Sequence, residues 1–263
     1  MSTAYPHAPT IARELGVSVT QVERTVALLA EGATIPFIAR YRKEATGNLD
    51  EVQIAAVDER RTYLTELDAR KQTVLAEIEK QGKLTDGLKA KIAGTLSKTE
   101  LEDLYLPYKP KRRTRATIAR ERGLEPLAEK ILAQEALAGS RESLAAPFVD
   151  AGKEVPDVEA AWAGARDIVA EMVAERAEVR AALREQALEG GFVVGAAIAG
   201  KEEEGAKFKD YFNFRQEANA LPSHRLLALR RGEAEGFLRV ALEVDGDAAK
   251  DLVRHKVVVA PKA

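Results

Sequence analysis

Apolar residues recur at helical spacing over most of the chain, and this pattern predicts a multi-helical fold. The clearest stripe lies between residues 48 and 80, where intervals of three, four and seven residues predict one long amphipathic helix. Its members are Ile54, Val57, Leu64, Leu67, Val74 and Ile78. Because Arg60 and Lys71 interrupt the stripe, we expect this helix to pack within its own chain rather than against a second copy.

A second apolar run, from Val158 to Val179, predicts the longest helix of the chain, over about residues 157–188. It contains Trp162, which its position on the apolar face places in the core. Beyond this helix the pattern changes. Residues 237–244 alternate as in a strand, and residues 256–259 predict a second strand.

At the N-terminal end, residues 10–32 predict two short helices joined at Gly16, with the spacing of a helix-turn-helix. The second helix carries one cation, Arg24, whereas a helix that reads DNA normally presents several donors to phosphates and bases. We therefore expect this pair to pack, with DNA reading as an alternative. The predicted fold class is all-α and multi-helical, with a helix-turn-helix-like N-terminal element, one very long helix and short β segments near the C-terminus.

Composition limits the classes of protein to which the chain can belong. Of its 263 residues 46% are hydrophobic, so a core can form, and the absence of cysteine excludes disulfides and thiolate metal sites. No apolar run approaches the roughly 18–20 residues of a membrane span, and the first residues do not have the pattern of a secretory signal. We expect a cytoplasmic protein that does not contact membranes.

Charge is concentrated in residues 105–122, which we call the basic stretch. It holds seven cations and one anion, although the whole chain has a formal charge of −2. Pro107 and Pro110 favour an exposed, stiff loop. Cations neutralise phosphates and a nearby ring stacks on a base, so Tyr108 is the stacking candidate. The phosphate-contacting candidates are Lys109, Lys111, Arg112, Arg113 and Arg115. In the alternative interpretation, these arginines pair with acidic helices of the same chain.

Residues 33–51 predict a second basic surface. Ile35, Phe37, Ile38 and Tyr41 are apolar enough to anchor this segment in the core. Arg40, Arg42 and Lys43 would then form a second phosphate-contacting patch, or be solvated charges on an elbow. Whether this patch joins the basic stretch depends on the fold.

The sequence contains no constellation typical of an enzyme. Its three histidines, His7, His224 and His255, lack the spacing of zinc ligands, and no GxSxG elbow, P-loop or dinucleotide fingerprint is present. Carboxylates are spread over helix surfaces. We expect a chain without catalytic activity, metal or cofactor.

Four segments together resemble the bacterial Tex family of transcription accessory proteins. They are TIPFIARYRKEATGNLDE, LEDLYLPYKPKRRTRATIARERGLEPLA, KEEEGAKFKDYF and LPSHRLLALRRGEAEG, within a similarity from about Ile11 to Val244. The resemblance implies a helical N-terminal region, followed by an RNase H-like domain, helix-hairpin-helix units and a C-terminal OB-fold that binds RNA. We therefore expect residues 1–190 to be the helical region and residues 191–263 to be a connecting segment leading to an RNase H-like domain absent here.

The functional hypothesis is a non-catalytic scaffold that contributes sequence-nonspecific binding of RNA or DNA to transcription-linked regulation. One alternative is a module that docks on RNA polymerase, the ribosome or the C-terminal domains implied by the resemblance. The other is a helix-turn-helix DNA reader.

Overall fold

The computed structural model describes residues 5–110, 113–135 and 139–259. The chain forms two compact units, Met1–Tyr108 and Lys109–Ala263. Lys111 and Arg112, two of the predicted nucleic-acid contacts, lie outside the described residues. Within the described ranges, no helix is both long and apolar enough to cross a membrane.

The first unit is helical. Its elements are α1 (Ala8–Leu15), α2 (Val19–Ala30), α3 (Ile35–Tyr41), α4 (Glu51–Lys80), α5 (Asp86–Gly94), α6 (Lys98–Tyr105) and a 3₁₀ turn at Leu106–Tyr108. The helix-turn-helix-like element is present as α1 and α2. Gly16, with φ 66°, ends α1, and Ser18 caps α2 in a capping box with Gln21.

Helix α4 is the centre of the first unit, and all six predicted members of its stripe are fully buried. Helices α1, α2, α3, α5 and α6 pack against it. The helix begins at an Asp50–Gln53 capping box, two residues later than the Asn48 start that the sequence favours. Asn48 instead has φ 65° and belongs to the preceding turn.

One charged residue of α4 lies inside this core. Lys71 is 6% exposed, and its Nζ donates to the carbonyl oxygen of Ala93 (3.0 Å) and lies 3.4 Å from Asp68. Burial alone would raise the pKa of Asp68, but hydrogen bonds with His7 and Lys71 lower it below its usual range. The lysine that interrupts the stripe is therefore satisfied within the unit.

The second unit combines helices and a sheet. Its elements are α7 (Arg115–Glu121), α8 (Glu125–Ala133), α9 (Arg141–Ala145), α10 (Val158–Ala174), α11 (Ala177–Gly190), β1 (Phe192–Ala197), β2 (Asn213–Glu217), α12 (Ser223–Ala234), β3 (Leu238–Glu243) and α13 (Gly246–Val257). Trp162 lies in the core between α10 and its neighbours, as predicted, and its indole Nε1 donates to the carbonyl oxygen of Arg141 (3.1 Å).

The predicted single helix over residues 157–188 is wrong, because the structure divides it into α10 and α11. Arg176 has φ −65° and ψ 122°, an extended conformation that interrupts the helical hydrogen bonds. No glycine or proline marks this break. Its physical reason is tertiary packing: α10 packs against α7 and α8, whereas α11 packs against α13. The one very long helix is α4, with 30 residues.

The three strands form an antiparallel sheet in the order β2-β1-β3. Strand β3 confirms the strand predicted near residue 237, but the strand predicted at residues 256–259 is wrong, because α13 extends to Val257. Strands β1 and β2 were not predicted. Helix α12 packs on β3 and buries Leu229 with Phe208 and Leu238, so residues 192–243 have a core of their own. The boundary expected near residue 190 lies inside the second unit.

Candidate nucleic-acid interface

The basic stretch, residues 105–122, is divided between the two units and is a loop only in part. Tyr108 ends the first unit and Lys109 begins the second. From Arg115 the stretch is helix α7, which Thr114 caps by accepting a hydrogen bond from the Thr117 amide (3.0 Å). Within the described residues, the predicted loop therefore includes the 3₁₀ turn at Leu106–Tyr108 and the two turns of α7.

Most arginines of this stretch have carboxylate partners in the second unit. Arg120 Nη1 donates to Glu171 Oε1 (2.7 Å), and the Thr114 hydroxyl donates to the other oxygen of the same carboxylate (2.8 Å). Glu171 is only 13% exposed. Burial alone would lower the pKa of Arg120, but the hydrogen bond to Glu171 raises it. Arg120 is therefore part of the α7–α10 interface.

The remaining described cations of the stretch differ in how accessible they are. Arg113 pairs with Glu121 (2.7 Å) and Arg122 with Glu154. Arg115 lies 3.9 Å from Asp167, and its side chain is 87% exposed. Lys109 is exposed and has no ion pair within the described ranges. Of the three predicted phosphate contacts that the structure describes in this stretch, Lys109 and Arg115 are thus the most available.

Tyr108, the predicted stacking residue, is half-buried against the core of the first unit. Its carbonyl oxygen accepts a hydrogen bond from Gln81 Nε2 (2.8 Å), which ties the end of the 3₁₀ turn to the end of α4. A ring that already packs on protein offers a base less surface than an exposed ring does.

The second predicted surface lies at the C-terminal end of α3, in the first unit. Buried Ile38 and Ala39 hold α3 against a cluster with Leu49 and Ile54. After α3 the chain turns through residues 42–48. The buried hydroxyl of Thr46 donates to the carbonyl oxygens of Arg42 and Lys43 (3.3 and 3.2 Å), which closes this turn.

Helix α2 supports the same turn from outside. Gln21 Nε2 donates to the carbonyl oxygen of Gly47 (2.9 Å), and Gly47 has φ 65°. A Cβ at Gly47 would lie 3.0 Å from the Gln21 side chain, so the position suits glycine both in backbone conformation and in space. The turn is consequently held from both sides.

The cations of this turn differ from those of the basic stretch. Arg40, Arg42 and Lys43 are all exposed, and none forms an ion pair with any residue that the structure describes. They surround a polar depression of about 350 Å³ lined by residues 40–45, together with one anion, Glu44. The structure thus brings these three predicted site residues together in one turn.

Two aromatic residues accompany these cations, and their predicted role as core anchors is wrong. Phe37 is 41% exposed and Tyr41 is 68% exposed, with ring centroids 5.4 Å apart. The Arg42 guanidinium carbon lies 5.6 Å from the centre of the Phe37 ring. We call Phe37, Arg40, Tyr41, Arg42 and Lys43 the aromatic–basic patch.

The sequence itself contains a signal for this patch, in the helical spacing of its residues. Because a helix turns once in 3.6 residues, Phe37, Arg40 and Tyr41 share one face of α3, opposite the face that carries Ile38 and Ala39. A seven-residue helix buries one face only, so placing Ile38 in the core places the two rings outside.

Helix α2, the candidate DNA reader, packs against α1, α3 and α4. Val22 and Thr25 are buried, and its exposed positions include Val19, Thr20 and Arg24. Among these, Arg24 is the one cation, so the exposed face offers little to a DNA backbone.

Comparison with known proteins identifies similar sequences for both ends of the chain. A model of the Tex-like protein N-terminal domain matches residues 6–79, and a model of the Tex central region matches residues 138–260. Protein YhgF of Escherichia coli is 50% identical over 89% of the chain, and the transcriptional accessory protein Tex of Neisseria gonorrhoeae is 48% identical over 90%. The S1 RNA-binding domain-containing protein 1 of Pongo abelii is 29% identical over 86%. The chain spans 30%, 31% and 23% of these relatives, respectively.

Proposed function

The chain belongs to the Tex-like protein family, and on that premise we propose that it is a non-catalytic scaffold of a transcription accessory protein. It contributes sequence-nonspecific binding of nucleic acid through phosphate contacts. One relative is named a transcriptional accessory protein and another an S1 RNA-binding domain-containing protein, and both names support a nucleic-acid ligand. A cytoplasmic location is part of this proposal. RNA polymerase and the ribosome are the partners that this role suggests.

The observation that carries this proposal is the exposure of Arg40, Arg42 and Lys43 in one held turn. Each ammonium or guanidinium group there lacks a carboxylate partner among the described residues, so a phosphate can approach it without breaking an ion pair. In contrast, a phosphate must displace Glu121 to reach Arg113 fully. Although such surface pairs are weak, breaking them still opposes phosphate binding, so we take the basic stretch as the secondary contact.

The contacts are expected to be indifferent to sequence. Point charges on a turn neutralise phosphates, which all sequences share, whereas sequence reading requires an element that reaches base edges in a groove. Helix α2 is the one candidate for such an element, and its exposed face holds Arg24 alone among cations. Nonspecific association through the patch is therefore favoured over DNA reading by α2.

The test is binding of the whole chain to a labelled oligonucleotide, followed by fluorescence anisotropy over a salt series. The first variant replaces Arg40, Arg42 and Lys43 by glutamine. The second variant makes the same replacement at the candidates of the basic stretch, Lys109, Lys111, Arg112, Arg113 and Arg115. For each phosphate that a variant no longer neutralises, the slope of log K against log salt should fall by about 0.7 for a single strand. We expect the first variant to lose more affinity and more slope than the second.

A control variant, Arg24→Gln, changes the cation on α2 and should leave binding and its salt dependence unchanged. If the parent chain does not bind at low salt, the proposed function is wrong, and docking on an acidic protein surface replaces it. If Arg24→Gln alone removes a preference for one sequence, the helix-turn-helix is the reader after all.

A further inference from the structure

We propose that the aromatic–basic patch is a site for single-stranded nucleic acid, in which Tyr41 and Phe37 stack on unpaired bases while the cations hold the adjoining phosphates. This inference rests on the proposed function and makes it more specific. Phosphate contacts alone do not select a single strand over a duplex, because a duplex carries the same phosphate groups at a higher linear charge density. Exposed rings do, because only an unpaired base offers its face to a side chain.

The first argument is the exposure of the rings. Only 5% of the residues in the chain are aromatic. The other described tyrosines of the first unit are buried or half-buried, namely Tyr5, Tyr63, Tyr105 and Tyr108. Tyr41 leaves 68% of its surface in water, so the free energy of burying this ring is gained only when a ligand covers it. Its neighbour Phe37 has no polar group that would explain exposure.

The second argument is the placement of the cations around the rings. Arg40 precedes Tyr41 in the sequence, and Arg42 and Lys43 follow it. Arg42 already lies over Phe37, and a guanidinium plane is itself a surface on which a base stacks. Charges for phosphates therefore alternate with surfaces for bases, as in proteins that bind single strands without sequence preference.

The third argument is that the site exists before a ligand arrives. Ile38 and Ala39 fix the opposite face of α3, Thr46 closes the turn, and Gln21 holds the carbonyl oxygen of Gly47. A ligand that binds here does not have to order the loop first, so less of the interaction free energy is lost to entropy.

Glu44 is the opposing charge in this turn and limits its affinity. It lines the same depression as Arg40, Arg42 and Lys43, which leaves three cations against one anion. We therefore expect moderate affinity from the patch, with stacking supplying the preference for single strands rather than most of the binding free energy.

The experiment compares a labelled oligothymidylate of about a dozen nucleotides with a DNA duplex of the same length, using the whole chain and anisotropy at several salt concentrations. The test variant carries Phe37→Leu and Tyr41→Leu, which keep apolar volume and charge but remove the aromatic faces. The matched control is Val52→Ala, which removes exposed apolar surface of the same unit outside the patch. Thermal unfolding of each variant shows that it folds.

We expect the parent chain to bind the single strand about tenfold more tightly than the duplex, and the double leucine variant to lose most of that preference. Its salt slope should stay unchanged, since every cation of the patch is retained. If the duplex binds as well as the single strand and the leucines change nothing, the stacking inference is wrong although phosphate binding stands. If neither oligonucleotide binds, the proposed function itself has failed.

Discussion

Among single residues, Glu44 offers a direct test of the electrostatics of the patch. Replacing it by glutamine removes the anion beside Arg42 and Lys43, while an uncharged side chain of similar size remains. At surface distances in water one unit charge changes the free energy of binding by roughly 0.5 kcal/mol, so we expect affinity for an oligonucleotide to rise about two- to threefold. Anisotropy at low salt measures the change, which should disappear as salt screens the charge.

The control for this variant is Glu79→Gln, which removes an exposed carboxylate from the last turn of α4, away from residues 40–45. Equal gains from both variants would mean that net charge, and not the local patch, determines binding. A loss of affinity on changing Glu44 would instead give this carboxylate a positive role in the site.

At this scale, sequence reasoning identified the cations and, as an alternative, their pairing with acidic helices of the same chain, but not which carboxylate each cation meets. Glu171 lies 51 positions from Arg120, and no local pattern shows that α10 places this carboxylate beside α7. In contrast, Arg40, Arg42 and Lys43 lie close in sequence and stay together in the fold. Local clusters are therefore predictable from the chain, whereas the neutralisation of a cluster by a distant helix is not.

Between elements, the contact of α1 with α4 should make stability depend on pH. Arg60 donates from Nε and Nη2 to the two oxygens of Glu14 (2.6 and 2.8 Å), and this hydrogen bonding lowers the pKa of Glu14 below its ordinary 4.5. A depressed carboxyl pKa stabilises the folded state above the unfolded value, and the benefit is lost as pH falls through the folded value. The free energy of unfolding of the first unit should therefore decrease as the pH drops below about 4.5.

The variant Glu14→Gln isolates this contribution. It should be slightly less stable than the parent at neutral pH, by about 0.5–1 kcal/mol as for other partly exposed pairs, and should show a smaller loss in acid. Urea unfolding at several pH values, followed by circular dichroism, measures both effects. Glu31→Gln removes an exposed carboxylate at the C-cap of α2 and should keep the parent's acid dependence. A curve for Glu14→Gln that is identical to the parent's would contradict the assignment.

The contact of α12 with β3 depends on a glycine. A Cβ at Gly232 would lie 2.6 Å from Leu238 Cδ1 and 3.2 Å from Phe208 Cδ1, both in the small core under the sheet. We expect Gly232→Ala to lower the free energy of unfolding of the second unit by about 1–3 kcal/mol through overpacking. Gly190→Ala at the end of α11 meets no atom within 4 Å and should be nearly neutral, within about 0.5 kcal/mol. Chemical denaturation compares the two.

Prediction of elements succeeded where one helix buries one stripe and failed where tertiary contacts decide. The stripe of α4 indicated its core positions because a single face meets the rest of the first unit. No residue near Arg176 marks the break in the sequence. The break occurs because α10 and α11 pack against different helices. Strand β1 contains Gly195, whose missing Cβ leaves room for Leu229 and for the carbonyl oxygen of Tyr211. Because this glycine interrupts the run of larger apolar residues, the sequence pattern of β1 does not indicate a strand.

At the scale of the whole chain, each cluster of buried residues that the structure describes lies within one of the two units. The sequence suggested a boundary near residue 190, where the helical pattern gives way to glycines. The division into two compact units places the boundary after Tyr108, where the sequence contains prolines and charged residues. Composition therefore marks a change of secondary structure more readily than a boundary between cores.

This division allows the two predicted surfaces to be separated physically. Residues 1–108 contain the aromatic–basic patch and the core around α4, so we expect this piece to fold alone and to keep most of the chain's affinity for a single strand. Residues 109–263 contain Lys109 and Arg115 and should bind more weakly, with a smaller salt slope. Circular dichroism checks folding and anisotropy checks binding. If residues 109–263 carry the affinity instead, the basic stretch is the primary site and the patch is not.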